Sequence, residues 1–131
     1  SLPPECSQPK AFLPGTLVVQ GASYADKPKL GAKLANWPNL AAWPVVVLVD
    51  SSAAATENMQ EFLWTFFTRF EPAADIHAKE QQMRRFHVGL TPPVVFDCRM
   101  KPWYTEVLAV DSATKALVDS KFANIIPKKW R

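Results

Sequence analysis

Glycine is scarce in this 131-residue chain, with four residues at positions 15, 21, 31 and 89. They are too scattered for a phosphate-cradling loop, and GxGxxG, P-loop and GxSxG motifs are all absent. Cysteine is as sparse. Cys6 and Cys98 lie far apart and no CxxC occurs, which excludes a disulfide framework. Two free thiols in a reducing compartment are expected. No apolar run approaches the ~18 residues of a membrane span, and no signal peptide is visible. A cytoplasmic chain without a membrane span is therefore expected. Charge is also thin. Fifteen Lys and Arg against twelve Asp and Glu leave +3, too little to imply nucleic acid or an acidic membrane surface.

Proline and apolar residues are plentiful. Twelve prolines suggest stiff connections between a few regular elements. Hydrophobic residues at 48% and charged residues at 21% are ordinary for one globular domain, or a large piece of one. The first residue is Ser1 rather than methionine, so a processed chain or a piece of a longer one is expected.

Val45–Val49 is apolar at every position, as in a central strand covered on both faces. Thr16–Gln20 reads as a second buried strand and Pro93–Phe96 as a third. Lys29–Asn36 spaces Leu30 and Leu34 by four, which predicts two helical turns. The strongest helix is Thr56–Phe70, in which Met59, Phe62, Leu63, Phe66, Phe67 and Phe70 form an apolar face. Thr56 is its expected N-cap, Glu57 suits its first turn and Arg69 its last. Trp64 falls off that face, where a half-exposed interface role fits tryptophan. A short extended piece follows around Asp75-Ile76. Residues 79–91 read as a polar, mobile loop. Residues 112–124 form a closing helix capped by Asp111 or Ser112, with Leu117, Val118, Phe122 and Ile125 toward the core. The expected fold is a three-layer α/β domain with a mostly parallel, or mixed, central sheet. Its bounds are 14–126, after an irregular arm or linker end at 1–13 and before a basic tail at 127–131.

Candidate chemistry is thin. His77, His87, Asp97 and Cys98 match no metal-ligand spacing, so no metal site is expected. Ser51-Ser52 follow the central strand, where open α/β sheets bind ligands, yet turn formation is their simpler role. Arg84-Arg85, joined by Arg99 and Lys101, could meet an anion, but a solvated charged loop explains them as well. Asp50, Asp75 and Asp97 each stand singly at a strand or loop end, where capping suffices. No catalytic constellation is complete.

Together, VVVLVD at 45–50, Leu63-Trp64, Thr68-Arg69, Pro72 and Asp75-Ile76 resemble the C-terminal domain of UbiD-type decarboxylases. The strand at 17–20 and the segment VFDCRMKPW at 95–103 are similar to that domain as well, and the likeness runs over about residues 14–124. The resemblance implies enzymes that add or remove carbon dioxide on aromatic or α,β-unsaturated carboxylic acids. They use prenylated flavin mononucleotide with a divalent metal and potassium. Their catalytic residues belong to an upstream domain that nothing here resembles, so this chain carries no catalytic, cofactor-binding or metal residue by inheritance. The role implied for this chain is oligomerisation and closure over the substrate, with an upstream catalytic domain or subunit as partner. Phe66 matches a helix position that can face substrate, and Phe86 is a second candidate pocket residue. Ser51-Ser52 depart from the more acidic family pattern, and the 79–91 segment is short. A non-catalytic α/β protein-interaction module is the alternative.

Overall fold

Val45–Val49 is the middle strand of a five-stranded sheet in the computed structural model, which describes residues 1–106, 111–123 and 125. In chain order the elements are β1 (Cys6–Leu13), β2 (Thr16–Gly21), α1 (Leu30–Ala35), β3 (Val45–Val49), α2 (Ser52–Ala55) and α3 (Met59–Arg69). There follow β4 (Ile76–His77), β5 (Gln81–Arg84), β6 (His87–Leu90), β7 (Val94–Asp97) and α4 (Ser112–Lys121). The sheet order is β1-β2-β3-β7-β4. β2, β3 and β7 run parallel, while the edges β1 and β4 are antiparallel to their neighbours. The result is the expected three-layer α/β fold with a mixed sheet.

Strand periodicity divides the core. Leu17, Val19, Val46, Leu48 and Val95 point to one face and pack with Leu30, Leu34, Ala35 and Leu40. Val18, Val47 and Val49 point to the other and pack with Ala55, Phe62 and Cys98. β3 is apolar throughout because each face has its own helical layer. Gly31 in α1 has a specific reason: a Cβ there would lie 2.5 Å from Cδ2 of His77, so any larger residue would push that ring away from α1.

Five expectations change. Residues 6–13 are not an irregular arm but strand β1. The prolines suggested an irregular arm or linker end, yet Pro9 sits where the register shifts between Ser7 and Lys10, on an edge strand. There the missing N–H removes no ladder bond. The main helix begins later than Thr56. Ser51 caps α2, Thr56 ends it, and Asn58 caps α3 by accepting a 2.9 Å hydrogen bond from the Glu61 backbone N–H. Glu61, not Glu57, occupies the first turn. Residues 51–58 offer four capping residues, Ser51, Ser52, Thr56 and Asn58, and the tight turn into α2 uses the first.

The third change concerns burial. Of the six apolar residues on α3 and its C-cap, Phe62 alone is fully buried, Phe66 and Phe70 are half-buried, and Met59, Leu63 and Phe67 are exposed. The face is wider than the strip of sheet that covers it. Fourth, the predicted mobile loop is a β-hairpin. Arg85 and Phe86 form its two-residue turn, with φ of 52° and 89°. That geometry is favourable for Asn-Gly, so the sequence carried no turn signal. Finally, α4 is capped by Asp111, whose Oδ1 accepts from Thr114 N–H at 2.8 Å, but it buries none of its residues. Leu117, Val118, Phe122 and Ile125 are exposed rather than directed to the core. Asn124, Pro127 and the tail 128–131 lie outside the described residues.

Candidate functional site

The carboxyl ends of β3 and β7 gather most of the buried charge. Asp97 ends β7 and accepts two hydrogen bonds from the Arg99 guanidinium, Nε to Oδ1 at 2.8 Å and Nη2 to Oδ2 at 2.6 Å. Both side chains are fully buried. The third Arg99 contact, Nη1 to the Ala22 carbonyl at 2.7 Å, ties β7 to the segment after β2. Lys101 is buried beside them. Its ammonium forms an ion pair with Asp75 at 2.9 Å and donates to the Arg69 carbonyl at 2.6 Å and to the Asp97 carbonyl. The Asp75 carboxylate also accepts from the Glu71 backbone N–H at 2.8 Å. The Tyr24 ring lies 5.2 Å from the Arg99 guanidinium carbon and 5.5 Å from the Lys101 nitrogen.

Closer to solvent, Asp50 at the end of β3 accepts from Arg69 at 3.1 Å and from the Met100 backbone N–H at 2.8 Å. Asp50 and Arg69 line an open cleft of about 630 Å³ between β3, α2 and α3, together with Ser51, Gln60, Glu61 and Trp64. A smaller cavity of about 240 Å³ adjoins it, bounded by Trp64, Thr68, Arg69, Met100, Tyr104 and Glu106. Trp64 and Arg69 stand in both linings. Ligands commonly sit at this end of an open α/β sheet.

The inner network can fix geometry but has little to offer as reagent. Three carboxylates face three cations, each engaged. Cys98 is buried, and burial pushes its thiol up to about 12, so it stays protonated and poorly nucleophilic near neutrality. Cys6 is also a free thiol, pushed up to about 11 by burial and then by Glu5. His77 lies half-buried near Asp75 and Asp97. Burial holds its pKa below the ordinary histidine value, and the two carboxylates oppose that shift.

The carboxylates read singly in the sequence are thus paired, and Arg99 and Lys101 join them rather than Arg84-Arg85. A signal was available. In Asp97-Cys98-Arg99-Met100-Lys101 the charges alternate after an apolar strand, which places residues 97, 99 and 101 on one side of an extended chain. Ser51 accepts from the Ala54 backbone N–H at 3.3 Å, a capping role, while the Ser52 hydroxyl is buried with no hydrogen-bond partner. Phe66 packs among Phe62, Phe67, Phe70 and Phe96, with ring centroids 4.9–5.9 Å away. Phe86 stands fully exposed at the hairpin tip. The fold places the first in an aromatic cluster on the sheet and the second on a projection. Among the described residues no group of three or more His, Cys, Asp or Glu gathers as a metal site, and no helix is long and apolar enough to cross a membrane.

No family model matches the chain, and no solved structure matches it. An uncharacterized protein of Chlamydia trachomatis is 36% identical over 125 residues, covering 95% of this chain and 21% of that protein. An uncharacterized protein of Chlamydia caviae is 30% identical over the same proportions. A Chlamydia pneumoniae protein, named as a subunit of 4-hydroxybenzoate decarboxylase, is 33% identical over 96 residues, 73% of this chain and 16% of that protein. The chain spans about a fifth of the length of the first curated relatives it matches. It is therefore similar to one segment of longer chlamydial proteins, of which one bears the name of a decarboxylase subunit.

Proposed function

We propose that this chain is the C-terminal domain, or a small subunit, of a UbiD-like decarboxylase or carboxylase acting on aromatic or α,β-unsaturated carboxylic acids. The observation that carries the reading is the similarity to the Chlamydia pneumoniae decarboxylase subunit over 73% of the chain. It agrees with the ordered VVVLVD, LW, TR and DCRMKPW motifs. The domain serves assembly and closure of the substrate pocket. A catalytic domain or subunit supplies the chemistry.

Decarboxylation leaves a carbanion, and prenylated flavin mononucleotide supplies the electron sink for it when bound in the full enzyme. The residues of this chain do not fit that cofactor or the divalent metal and potassium at its phosphate. The glycines make no phosphate cradle, and Asp75 and Asp97 are taken up by Lys101 and Arg99. The chain's own contribution is positional. The Asp97–Arg99 and Asp75–Lys101 pairs hold the strand ends rigid, so that Trp64 and the Asp50–Arg69 pair face a partner in fixed geometry. Phe86, free of its own domain, can enter a pocket built by the partner, and Phe66 backs the exposed Phe67.

The test incubates the purified chain with prenylated flavin, manganese, potassium and a panel of aromatic and cinnamic-type acids, with and without the catalytic domain of a relative. Carbon dioxide release only when both parts are present supports the reading. Turnover by the chain alone overturns it. A second reading, a non-catalytic interaction module, draws on the exposed Trp64, Phe67 and Phe86. It predicts no turnover with any catalytic domain and capture of a partner without decarboxylase activity.

A further inference from the structure

The cleft at the carboxyl end of β3 holds an aromatic face that nothing in the described chain uses. Trp64 on α3 is 54% exposed and lines both the cleft of about 630 Å³ and the cavity of about 240 Å³ beside it. Elsewhere this chain sets a cation over an aromatic ring. Lys33 lies 5.7 Å from the Trp37 ring, and Lys101 lies 5.8 Å from the Tyr104 ring. Among the described residues the Trp64 indole has no cation over it, no aromatic ring against it and no acceptor for its N–H.

The charge around that indole is mostly negative. Asp50 and Glu61 line the cleft, Glu106 lines the smaller cavity, and Arg69 stands in both. Arg69 is offset by Asp50, its ion-pair partner at 3.1 Å. The Glu61 and Glu106 carboxylates have no hydrogen-bond or ion-pair partner among the described residues. Three carboxylates against one guanidinium leave the combined lining negative. The face of an indole ring is the negative end of its quadrupole, so ring and carboxylates favour the same sign of guest. Carbon groups attached to the cationic nitrogen gain apolar contact with the ring and with Met100, which a bare metal ion does not. An anion would meet Glu61 and Glu106 with only a guanidinium that is already paired.

We propose that Trp64 is the platform of a binding site for an organic ammonium group, with Glu61 and Glu106 as its counter-charges. The smaller cavity has room for a choline-sized head or for the end of a lysine side chain. Tyr104 bounds that cavity, but its ring already carries Lys101, so Trp64 supplies the free aromatic face. The site goes beyond the decarboxylase reading and draws nothing from it.

NMR titration of the isotope-labelled 131-residue chain tests it. The probes are choline, its neutral carbon isostere 3,3-dimethylbutan-1-ol, Nα-acetyl-lysinamide and benzoate. The indole N–H signal of Trp64 is assigned by its loss in Trp64→Phe. At least one of the two ammonium probes should shift that signal saturably, and more weakly as salt rises. Choline should bind about three- to thirty-fold tighter than its isostere. The tighter ammonium probe separates a free organic cation from a protein lysine as the source. Trp64→Ala should abolish saturable shifts at the neighbouring Gln60 and Thr68 amides. Glu61→Gln with Glu106→Gln should weaken ammonium binding by about threefold or more and leave the isostere unaffected. Far-UV circular dichroism checks that the variants are folded. No saturable shift with either ammonium probe, an isostere that binds as tightly as choline, or binding unchanged in the glutamine variant overturns the proposal. Benzoate as the tightest ligand overturns it too and assigns Arg69 to an anion instead. The measurement needs no catalytic domain, so its failure leaves the decarboxylase reading standing. Failed turnover likewise leaves the ammonium site standing.

Discussion

The two faces of the central sheet are built differently. On the α1 side the cluster is aliphatic and closed, with Leu34, Val46, Leu48 and Val95 all at 0% exposure. On the α3 side Val18, Val47, Val49 and Phe62 are buried, but the layer above them is aromatic and half-open, with Phe12, Phe66, Phe70 and Phe96 partly exposed. Branched aliphatic side chains fill the narrow space under a two-turn helix without voids. Phenylalanines along a longer helix reach beyond the sheet and leave ring area uncovered. The closed face supplies stability within the chain. The open face is available for something else to cover.

The largest expected effect lies at the strand end that both faces share. Arg99→Met leaves the Asp97 carboxylate buried without its partner and should cost about 3–5 kcal/mol in urea denaturation. Replacing Asp97 by leucine as well should recover much of that loss, since no lone charge then remains buried. A loss under about 1 kcal/mol for the single variant would mean that water reaches the pair.

The next test compares the faces directly. Leu34→Ala, on the closed side, should cost about 2–5 kcal/mol through lost transfer energy and a cavity. Phe66→Ala, on the open side, should cost less despite the larger side chain, about 1–2 kcal/mol, because part of the ring is already in water. Equal losses would erase the distinction. Phe67→Ala should change the stability of the isolated monomer by no more than about 0.5 kcal/mol. A large loss there would show that this side of α3 is covered within the chain.

The last test uses pH to probe the closed side, where the His77 ring lies against Gly31. Burial lowers the His77 pKa in the folded state, so the unfolded chain binds more protons on acidification. Stability should be fully present above the ordinary histidine value of about 6.5 and fall as pH drops below it. His77→Gln should flatten that slope in denaturant midpoints measured across the range. A slope unchanged by the substitution would place the acid sensitivity elsewhere.

Much of the frame was legible from residue pattern. Val45–Val49 could only be a doubly covered strand, and Leu30 with Leu34 marked α1. The site was less legible. Asp97 and Arg99 pair two residues apart, but the partners of Lys101, Asp75 and the Arg69 carbonyl, lie before β4 and at the end of α3, distant in sequence. The hairpin was hidden because Arg85-Phe86 is an unfavourable pair for its turn, and β1 because Pro9 disguised an edge strand.

By itself the sequence determined which segments are strands and helices in the centre of the domain, since a period of two or 3.6 in apolar residues is a local property. It also determined that no phosphate loop or redox cysteine pair is encoded here. The tertiary structure decided which apolar residues are covered. Phe62 and Phe67 belong to one helix and one sequence pattern, yet one is buried and the other exposed. Burial depends on how far the neighbouring sheet extends beneath each turn, and charge pairing depends on which strand ends meet. Both are distances between segments far apart along the chain, and local pattern does not contain them.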